Sequence, residues 1–86
     1  MMKRNKNLKI IKKNIRVLNE IAFCYDNVNY TISYWGDKCV VLDNNFPHMP
    51  IFQFKKYEDL ITGFRIDGKL FADISEEIQL SGDILL

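Results

Sequence analysis

The residues that could do chemistry in this chain are few, and their spacing suits reactions poorly. His48 is the only histidine and sits in a proline-flanked segment, Phe46-Pro47-His48-Met49-Pro50. A structural metal site usually takes four ligands, and no Cys, Asp or Glu stands at ligand spacing from it, so a surface loop histidine is expected. Cys24 and Cys39 lack CxxC spacing and a base placed to hold a thiolate, which makes them packing thiols. Asp67-Gly68-Lys69 is too short for a phosphate loop and reads as a turn. Residues 57–86 carry seven acids (Glu58, Asp59, Asp67, Asp73, Glu76, Glu77 and Asp83) against Arg65 and Lys69. Carboxylates do acid–base work only in a pocket that shifts their pKa. On helix outer faces they form a solvated acidic surface, or one that mimics phosphates toward a nucleic-acid-binding protein. No catalytic residue, cofactor or metal is assigned, and an enzyme is not expected.

Binding chemistry is better represented. Residues 1–20 hold seven bases (Lys3, Arg4, Lys6, Lys9, Lys12, Lys13, Arg16) and Glu20, a net +6, whereas the remainder holds five bases and ten acids, a net −5. The overall +1 therefore hides a basic arm on an acidic body. Such an arm binds phosphates or an acidic protein, folds onto its own body, or is simply solvated. Lys9, Lys12, Lys13 and Arg16 are its candidate nucleic-acid contacts. Trp35 beside Lys38 is an ordinary cross-strand surface pair, a base-stacking platform or an interface anchor.

Local patterning places these residues. Leu8, Ile11, Ile15 and Leu18 recur at helical spacing, which predicts a helix over 6–19 with the bases on another face. Ile10 and Val17 lie on a third side. A competing period-two pattern runs from Ile15 to Tyr25, so the first strand is free to begin as early as residue 15. Asp26-Asn27 and Gly36-Asp37 suit two-residue hairpin loops of types I′ and II′. Those loops fix the register: Tyr25 opposite Val28, Phe23 opposite Tyr30, Ile21 opposite Ile32, Ile32 opposite Val41, and Tyr34 opposite Cys39. One face then holds Ile21, Phe23, Tyr25, Val28, Tyr30, Ile32, Tyr34, Cys39 and Val41, the expected core. The other holds Ala22, Cys24, Asn29, Thr31, Ser33, Trp35, Lys38, Val40 and Leu42, expected to meet water or a partner. Cys24 and Cys39 fall on opposite faces and so are not expected to bond. After a 44–50 loop, Ile51–Lys55 reads as a fourth strand with Phe52 and Phe54 inward. Tyr57–Phe64 and Leu70–Ile78 read as two short helices broken at Asp67-Gly68, and Ser81-Gly82 precedes an apolar tail.

These elements make one small α+β domain of 86 residues. It comprises a basic N-terminal helix or arm (1–20), an antiparallel sheet of three to four strands in meander order (21–55), and two short C-terminal helices with a tail (56–86) on one face. No apolar stretch approaches the roughly 20 residues of a membrane span. Lys9, Lys12, Lys13, Arg16 and Glu20 interrupt any secretory leader core. A cytoplasmic setting is the expectation.

The aromatic hairpin Phe23-x-Tyr25 with Tyr30-Thr31-Ile32, followed by Tyr57-Glu58-Asp59-Leu60 and Ile66-Asp67-Gly68-Lys69-x-x-x-Asp73-Ile74, resembles small uncharacterised proteins of low-GC Gram-positive bacteria and their phages. The resemblance covers about two-thirds of the chain and implies no activity. We therefore expect a small non-enzymatic binding protein acting by protein–protein contact, such as a phage or mobile-element inhibitor of a host defence protein. Trp35, Lys38, Glu58, Asp59, Asp73, Glu76 and Glu77 are its candidate contacts with a larger protein. The alternative is a nucleic-acid-binding accessory protein using the basic segment.

Overall fold

The computed structural model describes residues 6–82, 84 and 85. Lys3, Arg4, Asp83 and Leu86, which enter the charge and tail readings above, lie outside the described residues. The elements run α1 (Lys6–Leu18), β1 (Glu20–Tyr25), β2 (Val28–Trp35), β3 (Lys38–Asp43), β4 (Phe52–Phe54), α2 (Tyr57–Gly63), β5 (Arg65–Ile66), β6 (Lys69–Leu70), α3 (Phe71–Ile74) and β7 (Gln79–Ser81). The main sheet is antiparallel with order β4-β3-β2-β1-β7. Strands β1 to β4 follow the expected meander. β7 adds a fifth strand, one more than the sequence suggested, by returning to pair Ala22, Phe23 and Cys24.

Both hairpins adopt the register that their loops dictate, with Phe23 opposite Tyr30 and Trp35 opposite Lys38. Asp26 and Asn27 both take left-handed φ (52° and 63°), as a type I′ turn requires, while Gly36 alone does so in the second loop (66°). The core face is buried beneath the helices: Phe23, Tyr30, Ile32 and Val41 share one cluster with Ile11, Ile15, Leu60, Phe64, Phe71 and Ile74. An aromatic chain threads it, Tyr30–Phe23–Phe71–Phe64–Phe52–Phe54, with ring centroids 5.1–6.2 Å apart. Cys24 and Cys39 are both free thiols.

Several expectations need correction. The stretch read as a helix over Leu70–Ile78 is a single helical turn, Phe71–Ile74, followed by a turn into β7. Asp67-Gly68 is a turn as expected, and it closes a two-residue hairpin between β5 and β6, with φ of 52° and 78°. Leu18, expected on the docking face, is exposed, since α1 ends there: Asn19 takes left-handed φ (68°) and its N–H donates to Ile15 O, the usual stop for a helix. The outer sheet face is not all open: Val40 and Leu42 are buried, and Val40 lies on an interior strand between Ser33 and Gln53. Phe52 does reach Phe64, but on an edge strand it remains 40% exposed.

Candidate functional site

The sheet positions Trp35 and Lys38 more sharply than the pairing alone implies. β1 pairs β2 only as far as Ser33, and β4 pairs β3 only as far as Cys39. The Trp35–Lys38 pair and the Gly36-Asp37 loop therefore project past both neighbouring strands as a hairpin tip. Trp35 is 45% exposed there. Lys55 follows Phe54, whose partner Cys39 adjoins Lys38. Lys56 follows, just before α2.

The helical layer reaches the same end of the molecule. Asn19 clasps Tyr34 from the end of α1, accepting from Tyr34 N–H through its backbone oxygen (3.2 Å) and donating from Nδ2 to Tyr34 O (3.1 Å). Tyr57 N–H at the start of α2 donates to Tyr34 Oη (3.0 Å), and Tyr57 Oη donates to Leu8 O (3.2 Å). Lys12, Ile15, Arg16, Tyr34, Tyr57 and Glu58 line one small cleft of about 110 Å³. Burial, with Cys39 and Glu58 nearby, pushes the Tyr57 phenol well above its ordinary value, so it stays a donor.

Lys9, Lys12, Lys13 and Arg16 are all exposed. Lys12 Nζ lies 3.9 Å from Glu58 Oε2, with both side chains more than half exposed. An ion pair of that kind contributes about 0–1 kcal/mol. The helix is held instead by Ile11 and Ile15 in the core and by two amides: buried Asn14 bonds the Leu85 backbone, and half-buried Asn7 donates from Nδ2 to Ser75 O (2.7 Å). The basic helix thus docks by its apolar face and turns its charge outward.

The acidic candidates do not converge on one place. Glu58 and Asp59 are exposed on the first turn of α2, while Asp73, Glu76 and Glu77 are exposed on α3 and the turn after it. A separate group, Asp43, Asp67 and Asp26, surrounds Tyr30, and together with burial, the largest cause, raises its pKa. Acids thus gather about Tyr30, where the hairpin that carries Asp67 also carries Arg65 and Lys69.

The thiols and the histidine stand apart from any reacting constellation. Burial pushes the Cys39 thiol up to about 11, with Glu58 adding to the effect. That holds it protonated and inert at neutral pH. His48 is exposed in the loop. Among the described residues no group of three or more His, Cys, Asp or Glu side chains is placed to hold a metal ion, and no helix is long and apolar enough to cross a membrane.

Sequence reasoning missed two parts of the surface. Lys55 and Lys56 join Trp35 only through the β3–β4 pairing across a long loop, which no local pattern reveals. Phe46, Met49, Ile51 and Phe52 expose apolar surface at the β4 edge, and the 45–51 segment lines a shallow apolar depression of about 580 Å³. That edge is guarded against strand addition. Pro50 precedes it, Lys55-Lys56 follow it, and Ile51 N–H donates to Val41 O although Val41 is in register with Phe52, the mark of a bulge. Comparison with family models, with curated proteins and with solved structures finds no match.

Proposed function

We propose that this chain is a small non-enzymatic binding protein that acts by protein–protein contact, with Trp35 and Lys38 at the centre of the contact. The observation carrying this reading is Trp35 itself, a large aromatic left 45% exposed on a hairpin tip that projects beyond the strands on either side. Tryptophan is the residue type most enriched among interface hot spots, and a rigid two-residue loop presents it at little cost in conformational entropy. A phage or mobile-element inhibitor of a host defence protein is one form such an activity takes. The test is affinity capture from host extract with nuclease present. Recovery of a larger protein by the wild type, and its loss with Trp35→Ala, supports the reading. Capture that disappears on nuclease treatment contradicts it.

A second reading has its own observation: Lys9, Lys12, Lys13 and Arg16 all face solvent from a docked helix. If they engage phosphates, binding to duplex or single strands falls steeply as salt rises.

A further inference from the structure

We infer that the Trp35 tip fits a particular class of partner surface: an acidic cleft with an apolar floor in a larger protein. This rests on the protein-contact reading above and specifies its chemistry. Charge favours such a partner. Lys38 stands opposite Trp35 on the outer face, and the exposed Lys55 follows Phe54, the partner of Cys39. Arg16 and Lys12 border Tyr34 on the helical side. Lys56 lies one residue before the Tyr57 N–H that bonds Tyr34 Oη. The tip is thus flanked by bases on both of its faces. The acids near it are Asp37 at the apex, Glu20 opposite Ser33, and Glu58, which faces Lys12. The acids around Tyr30 lie at the other end of the sheet, so the field points an acidic partner toward Trp35.

Shape favours it as well. Residues 35–38 are all exposed and project past β1 and β4, so the surface is convex. A single strand of nucleic acid binds in a basic groove with aromatic platforms along its floor, and a projecting tip offers no groove. Asp37 at the apex also opposes a phosphate chain running over it. A cleft instead receives the Trp35 ring on its floor while carboxylates on its walls meet Lys38, Lys55 and Arg16, an apolar centre inside a charged rim.

Trp35 is the only tryptophan, so its emission reports the tip directly. The full chain is titrated with three probes: a short Trp-free peptide alternating glutamate and leucine, the same peptide with lysine for glutamate, and single-stranded oligothymidylate. The inference expects the acidic peptide to shift Trp35 emission to the blue, with affinity reduced roughly tenfold or more in Lys38→Glu/Lys55→Glu. The milder Lys38→Gln/Lys55→Gln variant should show a smaller loss in the same direction, and circular dichroism identifies any variant that has unfolded. Equal binding of the basic peptide overturns the inference, as does tighter binding of oligothymidylate or the absence of an emission change with the acidic peptide. If Trp35-dependent, nuclease-resistant capture persists while the acidic peptide fails, only the acidic-cleft assignment falls. If capture fails as well, the protein-contact reading falls with it.

Discussion

The side-chain amide of Asn14 pairs with the backbone of Leu85 as a neighbouring strand would. Asn14 Nδ2 donates to Leu85 O at 2.9 Å, and Leu85 N–H donates to Asn14 Oδ1 at 2.8 Å. Nδ2 also donates to Ile10 O at 2.7 Å, and the residue is fully buried between Ile11 and Ile15. One amide thus fastens the C-terminal segment to the N-terminal helix, which makes α1 part of the body. Removing it strands two backbone groups, each costing about 1–3 kcal/mol if left unpaired. Asn14→Ala should therefore lower stability by about 2–6 kcal/mol in urea unfolding. Asn14→Asp should do no better, because the carboxylate accepts from Leu85 N–H but has no donor for Leu85 O.

That fastening also marks where sequence reasoning stops. The helix and both aromatic hairpins are legible because each is local: Leu8, Ile11 and Ile15 share one helical face, and two-residue loops fix which side chains oppose. The competition between helix and strand over 15–20 is settled at Asn19, whose left-handed φ ends α1 and leaves β1 to start at Glu20. β7 escapes notice because Gln79-Leu80-Ser81 is too short to show a period, and its partner, β1, lies more than fifty residues earlier. Asn14 did leave a signal. A polar residue on the i, i+3, i+4 stripe with Ile11 and Ile15 must be buried, and a buried amide needs partners. Of the candidate site, the Trp35–Lys38 pair follows from a turn, whereas Lys55 is brought to this end by the Cys39–Phe54 pairing, which spans the 44–51 loop.

Phe71 is the hub of the aromatic chain, with ring centroids 5.3 Å from Phe23 and 5.4 Å from Phe64, and it is fully buried. Phe71→Ala should cost about 3–5 kcal/mol, the usual range for a buried phenylalanine. For so small a domain that is a large share of total stability. Thermal unfolding should show a collapsed or much lowered transition, and an unchanged one would refute the packing described.

Cys39 predicts a pH dependence. Its thiol is raised from an ordinary value near 9.0 to about 11, first by burial and then by Glu58. A raised acid holds its proton longer in the folded than in the unfolded chain, so its stabilising contribution is complete below pH 9 and is lost as pH climbs through 11. At about 1.4 kcal/mol per unit, some 2–3 kcal/mol disappears across that window. Cys39→Ala should be less stable at neutral pH, yet its stability should fall less steeply between pH 9 and 11 in chemical unfolding. An identical slope would place the alkaline sensitivity elsewhere.

The exposed bases of α1 contribute little to folding in this account. Replacing Lys9, Lys12, Lys13 and Arg16 together with Gln keeps helix propensity and should change stability by no more than about 1–2 kcal/mol. Capture of a protein partner should survive in weakened form, because Trp35 and Lys38 remain while Arg16 is lost from the rim of the contact. Loss of the fold in that variant would show that charge, including Lys12 with Glu58, pins the helix to the body.

The most direct measurement is the affinity of the captured partner for the wild type and for Trp35→Ala, by calorimetry, alongside the melting temperature of each. A hot-spot tryptophan is worth about 2 kcal/mol or more, so the account predicts roughly thirtyfold weaker binding with an unchanged melting temperature. Equal affinity of the two proteins would contradict it.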